Sequence, residues 1–235
     1  MRLIPGTMLF AFCASWGFAQ SDKTELQQIG EMTRRCREES VKFRDAGGRP
    51  GDTGDPALKW SATLWQYGKE HPRTAAGIQA TSYALTWLRH ADQDAEVLAR
   101  ARTLPLDFSA WGSVVDGLRQ SSVKTGDYTT FFEITRRLLA QPKNNPLRAS
   151  VHLALGRVYE DQNQPDKALA AFRAVLKEAP NSPQADDAEL LLHEMKNLRV
   201  GQTIPDFEAV TIDGKRITPA ALRGKVVLLN FWATW

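Results

Sequence analysis

Residues 145–180 decide the fold. They read Asn145-Pro146-Leu147-Arg148-Ala149-Ser150-Val151-His152-Leu153-Ala154-Leu155-Gly156-Arg157-Val158-Tyr159, then Ala168-x-x-x-Phe172, then Pro180. Asn145-Pro146 is a helix start: a capping side chain followed by proline, whose missing N–H costs nothing in a first turn. Pro180 is a stop, because a helix interior needs that N–H. Between the two, apolar residues recur at three- and four-residue spacing.

The same grammar extends upstream. Asp55-Pro56 opens a helix with Leu58, Ala62 and Trp65 as its apolar face, Leu64 beside them, and His71-Pro72 at its end. A second helix is predicted from about Arg73 to His90, and a third from Gln93 to Thr103, stopped at Leu104-Pro105. Asp107 or Ser109 is expected to cap a fourth through Trp111, Val114, Val115 and Leu118. Gly126-Asp127 turns the chain into a fifth, with Phe131, Ile134 and Leu138, which ends at Gln141-Pro142. A last helix follows Asn181-Ser182-Pro183 with Leu190, Leu191, Leu192, Met195 and Leu198. Nothing in residues 56–198 alternates with a period of two. The tryptophans and phenylalanines fall at helical spacing, which suits a core better than a ligand box.

His152, Leu155, Gly156, Tyr159, Ala168, Phe172 and Pro180 together resemble the tetratricopeptide repeat, with His152 at the position usually held by Trp. The resemblance gives these residues packing roles. Gly156 and Ala168 are small so that two antiparallel helices approach. Leu155, Tyr159 and Phe172 fill the space between them, His152 packs, and Pro180 ends the second helix. One repeat cannot bury a continuous core, so the upstream helix pairs should be degenerate copies. The resemblance also implies a concave surface open to a peptide or protein partner.

The N-terminal region has a different character. Arg2 precedes a mostly apolar run, Leu3 to Phe18, and Gly17-Phe18-Ala19 offers small residues for a cut after Ala19. This is the order of a secretory signal peptide over residues 1–19. The run is shorter than the ~20 apolar residues of a spanning helix, and an uncleaved membrane anchor is the alternative. Export to the periplasm or cell envelope is the expected address. Residues 20–55 read as a charged helix to about Asp45, striped by Leu26, Ile29, Met32 and Cys36, and then a linker. The Asp52-Thr53-Gly54 of that linker lacks the hydrophobic strand and second copy that an aspartic protease needs. Cys13 lies in the segment expected to be removed, which would leave Cys36 as a lone helix thiol.

From Val200 the pattern becomes extended. Asp206 to Thr211 alternates, Asp213-Gly214 signals a hairpin, and Lys215 to Thr218 returns. Val226-Val227-Leu228-Leu229-Asn230-Phe231-Trp232-Ala233-Thr234-Trp235 reads as a buried strand.

Gly201-x-x-x-Pro205-Asp206-Phe207, Asp213-Gly214-Lys215, Leu222-Arg223-Gly224-Lys225 and the run to Trp235 resemble the opening of a TlpA-like, thioredoxin-fold thiol–disulfide oxidoreductase. That resemblance implies a Cys-x-x-Cys pair directly after Trp235, so no catalytic residue is expected within residues 1–235. Trp232, Thr234 and Trp235 would flank the site. Their plainer role is as core residues of a buried strand. The chemistry is thiolate attack on a disulfide at a helix N-terminus, with the second cysteine resolving the mixed disulfide. It involves a protein client or redox partner and no metal or organic cofactor. Peroxiredoxins share the Pro-Asp-Phe opening, but they place a single cysteine in a Thr-x-x-Cys context.

The fold expected is mainly α, a tetratricopeptide-like helical domain over residues 56–198. The first β-strands of an incomplete α/β thioredoxin-like domain follow over residues 201–235. With 30 Lys and Arg against 27 Asp and Glu, and no basic block, nucleic acid is an unsuitable partner. His71, His90, His152 and His193 show no metal-ligand spacing, and no phosphate-binding glycine loop occurs. The functional readings are a thiol–disulfide exchange protein with a partner-binding helical domain, a peroxiredoxin, or a non-catalytic helical scaffold.

Overall fold

A computed structural model describes residues 10–142, 147–230 and 232–233, with side chains from residue 23 onward. The expected Asn145-Pro146 start, residues 1–9 of the expected signal, Phe231, Thr234 and Trp235 lie outside the described residues. The described chain is mainly α, with two short antiparallel strands near its C-terminal end. Its helices are α1 (Phe10–Asp45), α2 (Pro56–Glu70), α3 (Ala75–His90), α4 (Asp94–Arg102), α5 (Trp111–Thr125), α6 (Tyr128–Leu139), α7 (Leu147–Asp161), α8 (Pro165–Glu178) and α9 (Pro183–Asn197).

Helices α3, α5, α7 and α9 begin at residues 75, 111, 147 and 183, at regular intervals of 36. These helices and α1 are successive neighbours in one layer, while α2, α4, α6 and α8 form the other. The upstream pairs therefore recur at the spacing of the α7–α8 pair. The core runs along the array as three clusters, bridged by the half-buried Trp65 and Tyr159. Ile29, Cys36 and Leu64 anchor it at α1–α3, Trp111, Leu118, Phe131 and Ile134 in the middle, and Phe172, Val175 and Met195 at α7–α9. Among the described residues, no helix is long and apolar enough to cross a membrane.

Several boundaries follow from local chemistry. Asp55 caps α2 by accepting from Ala57 N, and Asp127 caps α6 by accepting from Thr129 N and Thr130 N. Gly126, at φ 74°, closes α5. The expected cap of α5 is corrected: the N-cap is Ala110, and neither Asp107 nor Ser109 caps the helix. The aromatic residues fix this start. Trp111 donates from its indole N–H to Pro105 O at 2.9 Å and meets Phe108 edge-on at 6.0 Å between ring centres.

The apolar face of α2 also differs from expectation. Ala62 is exposed, and the buried residues are Ala57, Ser61, Leu64 and Gly68. Small residues face α3 because these two helices pack most intimately. On α9, Leu190 and Leu198 are exposed while Ala185, Ala188 and Met195 are buried, so its contact stripe is narrower than its leucine content suggests.

The hairpin pairs β1 (Ala209–Val210) with β2 (Arg216–Ile217), in the register Ala209 with Ile217 and Val210 with Arg216. Its turn is not the two-residue type. Thr211 N donates to Lys215 O at 2.9 Å and Gly214 N donates to Thr211 O at 2.9 Å, leaving a three-residue loop. Only Gly214 takes positive φ there, at 78°, which is the bulged geometry that glycine permits. A short 3-10 turn, Pro219–Leu222, follows.

The buried strand expected after Gly224 is not formed among the described residues. Val226 to Asn230 carry no strand pairing, and Val226, Leu228 and Trp232 are 104%, 90% and 79% exposed. A strand apolar on both faces needs neighbours on both edges and cover on both faces, and none of the described elements supplies them.

Candidate functional site

Two features can carry function: the surface of the helical array and the C-terminal segment. The array is built on the α7–α8 pair. Gly156 and Ala168 are buried at its centre, and a β-carbon on Gly156 would fall 2.2 Å from Cε1 of the fully buried Phe172 ring. Phe172 thus lies between the two helices. Leu155 packs in the cluster that α7 shares with α6, and Tyr159 bridges two clusters: its ring stacks on Phe132 of α6 at 5.6 Å and 29° and also packs against the α7–α8 cluster of Ala168 and Phe172. Pro180 lies two residues beyond the end of α8.

His152 packs partly buried at the position usually held by Trp. Its Nε2 lies 3.4 Å from Glu178 Oε2 without a formed hydrogen bond. Burial chiefly lowers its pKa, and Arg148 adds to that while Glu178 opposes it. The residue that sequence reasoning missed is Arg148. Its guanidinium donates to both Glu178 carboxylate oxygens, at 2.6 and 3.1 Å, and to Leu139 O. Arg148 thereby ties together the ends of α6, α7 and α8, and its hydrogen bond holds the Glu178 carboxyl below the usual range. These groups are 30 residues apart, so no local pattern announces them.

The α1–α3–α5–α7–α9 layer bears cavities between its helices. One, of about 730 Å³, runs between α3 and α5 with Arg73, Gln79, Ser82, Thr86 and Arg89 on one wall and Ser109, Ser113 and Gly117 on the other. A smaller one, of about 270 Å³, continues between α5, α7 and the start of α9, with Asp116, Ser150, Arg157 and Asp187. Both are lined mostly by apolar surface with polar side chains among it. On the other layer, an open cleft of about 890 Å³ lies over Phe132, Leu139, Leu155 and Tyr159.

Cys36 is the one cysteine whose side chain is described. It is fully buried, its Sγ is 4.0 Å from Ser40 Oγ, and burial pushes its pKa up to about 12. Such a thiol stays protonated and unreactive. Among the described residues, no group of three or more His, Cys, Asp or Glu could hold a metal ion. Of the residues expected to flank a redox site, Trp232 is exposed, and Thr234 and Trp235 fall outside the described residues.

Comparison with known proteins gives two kinds of match. Residues 149–182 match the tetratricopeptide repeat family, which covers α7, α8 and the turn leading to α9. The chain is 47% identical over 38 residues to the thioredoxin-like protein YneN of Bacillus subtilis (strain 168), covering 16% of this chain and 22% of that protein. It is 38% identical over 42 residues to the thiol-disulfide oxidoreductase ResA of Bacillus thuringiensis (strain Al Hakam), and equally to that of Bacillus anthracis, covering 18% of this chain and 24% of each. The chain thus spans under a quarter of the length of the curated relatives it matches. No solved structure matches. The chain is a helical array containing a tetratricopeptide repeat, with a short stretch similar to thioredoxin-like and thiol–disulfide oxidoreductase proteins.

Proposed function

We propose that this chain belongs to an exported thiol–disulfide exchange protein of the cell envelope, in which the helical array holds a client or redox partner. The observation that carries the reading is the similarity of a short stretch to a thioredoxin-like protein and to thiol-disulfide oxidoreductases, joined to a helical array with a groove between α3 and α5. The matched lengths, 38 and 42 residues, are somewhat longer than residues 201–235, whose ordered motifs carry the resemblance. The signal-like order at residues 1–19 supports export.

In this reading the redox pair is a Cys-x-x-Cys directly after Trp235, flanked by Trp232, Thr234 and Trp235. Cys36, buried and protonated, takes no part. The test is to read the gene past Trp235 and assay its product for reduction of a protein disulfide. A Cys-x-x-Cys pair and turnover abolished by Cys→Ser at either position are expected. A Thr-x-x-Cys with peroxide reduction would overturn the reading in favour of a peroxiredoxin. No cysteine there would leave a binding scaffold.

A further inference from the structure

A separate cavity, of about 680 Å³, opens between α2 and α4 on the α2–α4–α6–α8 layer. Its size suits a small organic molecule. The walls are chiefly apolar: Trp65 of α2, Pro72 beyond that helix, and Leu104, Pro105 and Phe108 beyond α4. Toward α3 the cavity is closed. Gly68 and Thr81 are both buried there, so close that a β-carbon on residue 68 would fall 2.1 Å from Thr81 Oγ1.

Three charged side chains line the cavity, Lys69, Glu96 and Arg100, and they leave one positive charge in excess. Arg100 and Glu96 neutralise each other, because Arg100 Nε donates to Glu96 Oε1 at 2.7 Å. The same guanidinium lies over the Trp65 ring, 5.1 Å from its centre, and so ties α4 to α2. Its Nη1 is buried with no partner, so one carboxylate does not use up the donors of this group. Lys69 is exposed and has no acidic partner among the described residues. Glu70, beside it in sequence, accepts from the Gln66 amide at 2.6 Å instead. The Trp65 indole N–H likewise makes no hydrogen bond among the described residues. Trp65 and Lys69 are four residues apart on α2, so these two unspent donors share one helix face.

Aromatic and proline walls favour a flat apolar body. An unspent ammonium beside an unspent indole N–H favours a carboxylate. We propose that this cavity binds a compact aromatic carboxylate, its ring against Trp65 and the Leu104–Phe108 wall and its carboxylate on Lys69 and the Trp65 N–H. A cationic ligand is disfavoured, because Glu96 is already taken by Arg100. The site lies apart from the α3–α5 groove, and the proposal does not rest on the redox reading.

The test is isothermal titration calorimetry of the full chain with naphthylacetate, naphthylacetamide and naphthylmethylamine. The carboxylate should saturate one site per chain and bind about tenfold tighter than the amide, and rising salt should weaken it. Lys69→Gln should weaken it about five- to tenfold. Ala99 is exposed on the wall of the cavity, so Ala99→Phe should fill the space and abolish binding while far-ultraviolet circular dichroism stays unchanged. Lys69→Glu should turn the preference toward the amine, a gain that misfolding cannot produce. Equal binding of carboxylate and amide, no saturable binding of the carboxylate, or binding undiminished in both Lys69→Gln and Ala99→Phe would overturn the proposal.

Discussion

Gly156 of α7 lies flat against the ring of Phe172 of α8, so close that a β-carbon on residue 156 would fall 2.2 Å from Cε1. Phe172 is fully buried, so its ring has no free space to turn into. Alanine is the better helix former by ~1 kcal/mol, yet Gly156→Ala should destabilise the chain by about 1–3 kcal/mol through overpacking. Urea unfolding monitored by circular dichroism measures this. A midpoint equal to or above that of the parent chain would contradict the packing described.

Acid should weaken the array through His152, His90 and Glu178. Burial lowers both histidine pKa values below the usual 6.5, so the unfolded chain takes up protons first as pH falls. Stability is therefore lost from about pH 6.5 downward, until the folded histidines titrate as well. The hydrogen bond from Arg148 lowers the Glu178 pKa below 4.5, so its contribution, present above the ordinary carboxylate range, is lost as pH falls through the folded value. Thermal melting between pH 7.5 and 5 should show a falling Tm, with a shallower slope in His152→Phe. An unchanged slope in that variant would remove His152 from the account.

Cys36 should be silent to thiol reagents. Its thiol is buried and its pKa is pushed up to about 12, so almost no thiolate exists at pH 8. In a Cys13→Ser chain, reaction with an aromatic disulfide reagent should be slow in the native state and fast in denaturant. Prompt labelling of the native chain would show the α1–α3 core to be open.

Hydrogen exchange should divide the chain sharply. Amides of Leu153 to Val158 lie inside a packed helix pair and should exchange slowly. Those of Val226 to Asn230 have no ladder partner and should exchange at nearly free rates. Protection of the second set in a soluble monomer would mean that the strand read from sequence forms within this chain.

What was legible in the sequence was local. Asp55-Pro56 and Gly126-Asp127 announce helix ends because a cap involves residues two or three apart. The α7–α8 pair was legible because Gly156, Ala168 and Phe172 each meet a steric demand that few residues satisfy. The period of 36 was not, because α3 and α5 recur at the spacing of α7 without its signature residues. The Arg148–Glu178 tie and the Arg89–Gln120 contact join residues 30 and 31 apart, and side-chain pairs at that separation leave no periodic trace. The start of α5 was misplaced because the buried Phe108–Trp111 pair, rather than a polar cap, sets it. The C-terminal strand was read from its composition, but a strand exists only through neighbours.

The central claim is thiol–disulfide exchange, and trapping its intermediate tests it most directly. The gene product read through Trp235 is prepared with the second cysteine of the expected pair changed to Ser and mixed with an oxidised protein client. The account predicts a covalent adduct on a non-reducing gel that dithiothreitol releases, because the resolving step has been removed. The adduct should persist in Cys36→Ser and vanish when the first cysteine of the pair is replaced. No adduct, or one that depends on Cys36, would contradict it.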